Sequence, residues 1–307
     1  MTTATRITLI DAPSDIGASM LGAAMGPQAL KVAGLPAALR ALGCDVQAVP
    51  AVSGPDNPDR APVNGYRHLP EVLAWNEGVF RAVRDVLAQS RLPILCGGDH
   101  SLAIGSLSAV ASHCRERGLR LRVLWLDAHA DFNTCDITPS GNVHGMPLAC
   151  LCGLGPRGLI DLGTTVPVLD AQDVRLIGVR SVDADEKRLV HQHGLEVFDM
   201  RYIDEHGMRQ AVDQALLGVD EQTHLHVSLD IDFLDPSIAP GVGTPVRGGP
   251  TYREAQLCME MIADSGRLGS LDVVELNPAR DTENASACLA VDLIESLFGK
   301  STLMRAP

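Results

Sequence analysis

Short β-branched apolar runs recur along the chain, and most are followed by a stretch whose apolar positions fall at helical spacing. The runs at 6–10 (RITLI), 46–49, 93–96 (PILC), 121–126 (LRVLWL), 174–179 (VRLIGV), 196–198, 225–231 (LHVSLDI) and 269–274 (GSLDVV) predict strands. Helical spacing predicts helices over 27–42, 72–89, 102–117, 185–193, 202–217, 253–263 and 285–298. The first of these should be interrupted at Pro36 and stopped at Gly43. Stretches 53–64, 134–142 and 235–250 have no period and carry Pro, Gly and Ser, so they read as loops. Alternation of strand and helix over the whole length implies an α/β fold, with a mostly parallel sheet covered by helices on both faces. No internal repeat, charge block or linker interrupts it, so one domain over 1–307 is the simplest account. In such sheets ligands bind beyond the carboxyl ends of the strands, and that is where chemistry is expected.

Composition narrows the classes. Apolar residues make up 46%, enough for a large core, while 25 Lys+Arg against 38 Asp+Glu leave a net charge of −13. A surface this acidic repels phosphate backbones, and 3% aromatics supply few stacking platforms, so a nucleic-acid partner is not expected. The eight cysteines form no C-x-x-C pair and read as reduced thiols, several of them core filler. No apolar run is long enough to span a bilayer, and the first residues lack the pattern of a signal peptide. A soluble, cytoplasmic protein without a membrane partner is the expectation.

Acidic and imidazole side chains collect at four strand ends. The 93–96 run leads into Gly97-Gly98-Asp99-His100-Ser101, and 121–126 leads into Asp127-Ala128-His129-Ala130-Asp131. The run at 225–229 leads into Asp230-Ile231-Asp232, and 269–274 ends at Glu275. In extended chain, positions i, i+2 and i+4 share a face, which would aim Asp127, His129 and Asp131 one way, and Asp230 with Asp232 likewise. Carboxylates crowded like this repel one another unless cations separate them. Four carboxylates (Asp127, Asp131, Asp230, Asp232) balance two divalent ions, with neutral His100 and His129 completing the set. Oxygen donors with imidazole and no thiolate suit Mn²⁺. Two such ions close together would leave a bridging position for water and lower its pKa. A lone D-x-D or Asp-His is commonly a turn; the coincidence on three strand ends is what carries weight. By the same reasoning His224 and His226 read as core residues and Asp99 as a turn residue. Asp99 also argues against a phosphate cradle in the glycine turn.

These four segments, together with Phe132-Asn133, Phe233-Leu234-Asp235-Pro236 and Leu276-Asn277-Pro278, resemble the ureohydrolases of the arginase–deacetylase superfamily. The loop Ser140-Gly141-Asn142-Val143-His144-Gly145-Met146-Pro147, the segment Ile177-Gly178-Val179-Arg180-Ser181-Val182-Asp183 and Gly243-Thr244-Pro245 resemble the arginase branch. Ser181 departs from the Asp common there, and Cys135-Asp136 from the usual Pro-Glu or Pro-Leu. The resemblance implies a three-layer α/β/α sandwich and two Mn²⁺ ions per subunit, held by His100, Asp127, His129, Asp131, Asp230 and Asp232. It implies hydrolysis of L-arginine to L-ornithine and urea by a metal-bridging hydroxide, with agmatine or a related guanidino compound as the alternative substrate. Glu275 would orient the guanidinium. Asp131 would relay a proton, and His144 would shuttle protons or protonate departing ornithine. Asn133, Ser140 and Asn142 would meet the α-carboxylate, Asp183 the α-ammonium, and Thr244 the guanidinium end. Read without the resemblance, Asn133, Ser140 and Asn142 are ordinary loop residues and Asp183 is a helix N-cap before Glu186. The resemblance also implies a homotrimer or homohexamer.

Overall fold

The computed structural model describes residues 4–163 and 165–302. Eight strands form one sheet: β1 (Arg6–Ala12), β2 (Asp45–Ala48), β3 (Leu92–Gly97), β4 (Arg120–Leu126), β5 (Val174–Ile177), β6 (Glu196–Phe198), β7 (Thr223–Asp230) and β8 (Leu268–Val274). Their order is β2-β1-β3-β8-β7-β4-β5-β6, and every neighbouring pair is parallel. All eight lie within a residue or two of the predicted runs.

Alternation along the strands sorts side chains into two cores. Ile7 and Leu9, Ile94 and Cys96, Leu124 and Leu126, and Leu225, Val227 and Leu229 face a layer built from helices Gly26–Val32, Leu35–Ala41, Met200–Ala215, Tyr252–Asp264 and Ala285–Leu297. Ile10, Leu95, Val123 and Trp125 face the other layer, dominated by helices Leu69–Ala88 and Ala103–Arg117. Both faces of the sheet are covered, which is why the central strands read as continuous apolar runs. The result is a three-layer α/β/α sandwich.

Two details differ from the sequence reading. The first helical stretch breaks at Gly34, not at Pro36. Gly34 takes φ 92°, a left-handed conformation that favours glycine, and Pro36 sits in the first turn of the second helix, where its missing N–H costs nothing. Short helices at Pro147–Leu151 and Arg157–Ile160 were not anticipated.

Chain order sets the position of the site. From the carboxyl end of β7 the chain crosses to β8 on one side, and from that of β4 it continues to β5 on the other. Neighbouring strands whose connections diverge open a crevice between them. Asp127 and Asp230 stand at that crevice, with His100 after β3 and Glu275 after β8 beside it.

Candidate metal centre and active site

The D-x-H-x-D segment does not converge by strand alternation. β4 stops at Leu126, residues 127–133 are irregular, and Asp131 takes φ 51°. The carboxylates bend the chain themselves. Asp127 Oδ1 accepts the amide of His129 at 2.7 Å, and Asp230 Oδ1 accepts that of Asp232 at 2.7 Å. Each is an Asx-type turn, in which the side chain caps the backbone two residues on. One oxygen of each aspartate makes the turn and the other faces His100, while Asp127 Oδ1 also faces the His129 ring. This is a physical reason for the i, i+2 spacing that survives the loss of the strand.

The remaining oxygens meet at His100. Its Nδ1 lies 3.1 Å from Asp127 Oδ2, 3.0 Å from Asp131 Oδ2 and 3.2 Å from Asp230 Oδ2. Its Nε2 is 2.8 Å from Ser228 Oγ, and its ring stacks on Trp125 with centroids 4.1 Å apart. Trp125 is wholly buried and donates to Asp127 Oδ2 at 3.0 Å, so the core holds both groups. A second cluster adjoins the first: His129 Nδ1 is 3.1 Å from Asp232 Oδ2 and 3.5 Å from Asp127 Oδ1. Asp232 Oδ1 accepts the Ala128 amide and Oδ2 accepts the Thr244 hydroxyl at 2.9 Å.

Two sets, His100–Asp127–Asp230 and Asp127–His129–Asp232, each bring one donor atom per residue within 4.8 Å of the others. The fit to cations can be tested on His100. Its buried Nδ1 has no hydrogen-bond partner, yet three carboxylate oxygens surround it. With Nε2–H directed to Ser228, Nδ1 offers a lone pair, and a lone pair among carboxylates calls for a positive ion. The donors are oxygen and imidazole nitrogen, and all eight cysteines are free and lie outside both sets. Such a set suits hard or borderline divalent ions. Without them, protons must supply the positive charge. Burial opposes charge on His100 and His129, but the facing carboxylates outweigh it, raising His100 well above its usual value and His129 to about 12. Burial and the Asp127 charge push Asp131 up to about 7, and burial with Asp232 and Asp127 raises Asp230. Burial first, and then the neighbouring carboxylates, push Asp131 and Asp230 toward the neutral form.

Glu275 takes φ 61°, and its amide donates to Gly98 O at 2.7 Å. Gly98 has no room for a side chain, since a Cβ would lie 1.8 Å from Ser14 O. Glu275 Oε1 accepts the His100 amide at 2.8 Å and faces His144 Nδ1 at 2.9 Å. Its Oε2 turns toward Gly243. Burial works against the Glu275 charge, but His144 and the His100 amide outweigh it and hold the carboxyl below its usual range. His144 is held at about 9, because Glu275, Asp99 and Asp131 overcome its burial. Two non-glycine residues in the left-handed region, Asp131 and Glu275, meet at this one site, each at a cost of about 1–3 kcal/mol.

Above the clusters lies a cavity of about 290 Å³. Its lining includes Asp131, Asn133, Ser140, Asn142, His144, Asp183, Thr244 and Glu275. Asn133 Nδ2 donates to Asp183 Oδ2 at 3.3 Å. Asp183 is the N-cap of helix Ala184–His193 and also lines the cavity. Ser181 lines the cavity, whereas Cys135 lies outside it, against Asp136. Glu186 lines the cavity too, a place that its capping-box spacing after Asp183 does not signal. It accepts the Phe132 amide at 2.9 Å and the Asp183 amide at 3.1 Å, coupling the metal loop to the helix start. Asp99 acts as a turn residue, accepting from the Ser101 and Gly17 amides. His224 and His226 lie away from the cavity, both sharing Ser270 Oγ at 2.8 Å.

Known proteins share this fold. Residues 5–299 match the Arginase family model. The arginase of Bacillus caldovelox is 41% identical over 97% of this chain and 99% of its own length. The arginase of Brucella melitensis is 42% identical over 97% of each. The crystal structure of arginase from Bacillus subtilis superposes with a TM-score of 0.90 at 39% identity, covering 97% of this chain and 100% of that one. Similarity over nearly the whole length, at this identity and with this agreement of fold, settles the family: the chain is a hydrolase of the arginase family.

Proposed function

We propose that this protein hydrolyses the guanidinium group of L-arginine, giving L-ornithine and urea, with two Mn²⁺ ions held by His100, Asp127, His129, Asp131, Asp230 and Asp232. The observation that carries the reading is a cavity whose lining combines two unlike sets of groups: Asp131, Asp230, His100, His129 and Glu275 at the clusters, and Asn133, Ser140, Asn142 and Asp183 in its wall. A substrate with a cation at one end and an α-amino acid at the other suits both.

Bound divalent ions supply a water of lowered pKa as nucleophile. The rest is done by the chain. Glu275 keeps its charge, spends Oε1 on His100 and His144, and presents Oε2 to the planar guanidinium. That contact orients the guanidinium carbon over the clusters. Asp131 lines the cavity beside His100 and can carry a proton to the departing nitrogen. His144, held at about 9, bears a proton at neutral pH and can hand it to leaving ornithine. Thr244 keeps Asp232 oriented through its hydroxyl. Asp183 receives the α-ammonium, and Asn133, Ser140 and Asn142 donate toward the α-carboxylate. The test is urea release from L-arginine and agmatine by Mn²⁺-supplemented enzyme. The expected result is a kcat/KM at least about a hundredfold higher for arginine. Equal or better turnover of agmatine, or no urea from arginine, refutes the reading.

A further inference from the structure

Among the described residues no arginine or lysine lines the cavity, whereas Asp131, Asp183, Glu186, Asp230 and Glu275 do. The protein as a whole carries −13. Cations and the guanidinium offset the carboxylates at the clusters, but Asp183 and Glu186 remain near the place proposed for an α-carboxylate. An anion brought there needs donors that are firmly aimed, and positive potential behind them.

Arg67 lies one side chain behind that wall. Its Nε donates to Asn142 Oδ1 at 2.8 Å, and its backbone amide donates to Gly141 O at 2.7 Å. Nearby Arg60 is paired with Glu71, but among the described residues Arg67 has no ion pair. Gly141 packs onto the same segment so closely that a Cβ would come 2.8 Å from Pro62 Cβ. The 138–142 loop therefore rests directly on the stretch that carries Arg67.

A guanidinium has only donors, so it fixes which way the Asn142 amide points. Oδ1 must face Arg67, which turns Nδ2 the other way. One Nδ2 hydrogen goes to Ser19 Oγ at 2.6 Å, and the second is left for a ligand in the cavity that Asn142 lines. A charged donor on Oδ1 also polarises the amide and strengthens its N–H as a donor. We propose that Arg67 is a positioning residue for the substrate's α-carboxylate, locking the Asn142 amide with its N–H toward the cavity and backing it with an unpaired positive charge. This rests on the arginine reading above.

The experiment compares two ligands that differ only in the carboxylate. L-Ornithine and putrescine are tested as competitive inhibitors of the Mn²⁺-loaded enzyme, in wild type, Arg67→Met and Arg67→Lys. For Arg67→Met, the Ki of ornithine and the KM of arginine are expected to rise about tenfold, as for loss of a charged hydrogen bond. The Ki of putrescine and kcat should move less than threefold. Arg67→Lys keeps the charge without the fixed fork and should recover part of the loss. In an Asn142→Ala background, Arg67→Met should shift the ornithine Ki less than threefold. Equal weakening of ornithine and putrescine, unchanged ornithine binding, or an undiminished tenfold effect in the Asn142→Ala background overturns the proposal. If Arg67→Met does not fold, Arg67→Lys decides: an ornithine Ki identical to wild type, with its Asn142 coupling absent, overturns it. Failure of wild type to release urea from arginine sinks the functional reading instead, which separates the two failures.

Discussion

Arg180 offers the sharpest test of how the metal loop is held. Its guanidinium, half-buried beside β5, donates to five backbone carbonyls. Nη1 reaches Gly178 O at 3.1 Å and Phe233 O at 3.0 Å. Nη2 reaches Asp232 O at 2.7 Å, Leu234 O at 3.1 Å and Val246 O at 2.9 Å, and Nε also reaches Val246 O at 3.1 Å. One side chain thus ties the loop carrying Asp232 to the loop carrying Thr244, whose hydroxyl in turn bonds Asp232. A charged hydrogen bond contributes about 1.5–3 kcal/mol, so five independent ones would total at least about 7. They share one group and water can refill part of the space, which brings the expected loss for Arg180→Met to about 3–5 kcal/mol. That is a large share of the ordinary stability of a folded protein. Lysine has no planar fork and can serve fewer carbonyls, so Arg180→Lys should recover less than half. Urea unfolding reads the stability, and elemental analysis after gel filtration reads bound manganese, which on the proposed two-ion site should fall below two per chain. A loss under about 1 kcal/mol with full metal content would refute the reasoning.

Glu275→Gln keeps an acceptor for the His100 amide but loses the charge that meets a guanidinium. It should retain metal while kcat/KM for arginine falls at least about a thousandfold, and steady-state kinetics showing an unchanged rate would remove Glu275 from the chemistry. Asp183→Ala should raise the KM for arginine far more than for its desamino analogue, which keeps guanidinium and carboxylate; equal effects would remove Asp183 as the reader of the α-ammonium. His224 is buried at the start of β7 and is held near 3 by desolvation, helped by His226 and His113. Because its folded pKa lies below the unfolded value of about 6.5, its contribution is complete above that value and is lost as pH falls toward 3. Between pH 7 and 5 this costs about 2 kcal/mol. Urea unfolding should therefore show His224→Gln losing about 2 kcal/mol less than wild type over that interval, and parallel pH profiles would count against it.

The layered fold was open to sequence reasoning because a parallel sheet covered on both faces leaves a strong imprint. β7 is buried at all eight positions, and between Thr223 and Asp230 at its ends it alternates Leu225, Val227 and Leu229 with His224, His226 and Ser228. Those three share the face toward helix Ala103–Arg117, where Ser270 Oγ meets one ring nitrogen of each histidine, so a polar residue inside the run does not signal a surface. Short elements leave no such imprint. Helix Pro147–Leu151 has five residues, too few for a period to repeat, and it forms because tertiary contact stabilises it rather than propensity. The break at Gly34 was displaced to Pro36 for a related reason: proline marks helices visibly, but in a first turn it begins one.

At the site, residue type and order were legible, whereas direction was not. Charge balance alone asks that the carboxylates after β4 and β7 gather around cations, and strand alternation is one way to aim them. The chain uses side-chain-to-backbone turns at Asp127 and Asp230 instead, and a left-handed Asp131. Both routes obey the same i, i+2 spacing, so spacing cannot distinguish them. Long-range partners are harder still. Arg67 lies 75 residues before Asn142, yet it decides which end of that amide the cavity sees. Glu186 caps its own helix while holding the amide of Phe132, 54 residues earlier. A local pattern predicts which groups a loop offers. Which of their atoms remain for a ligand depends on the other half of each hydrogen bond, and that half is supplied by the fold.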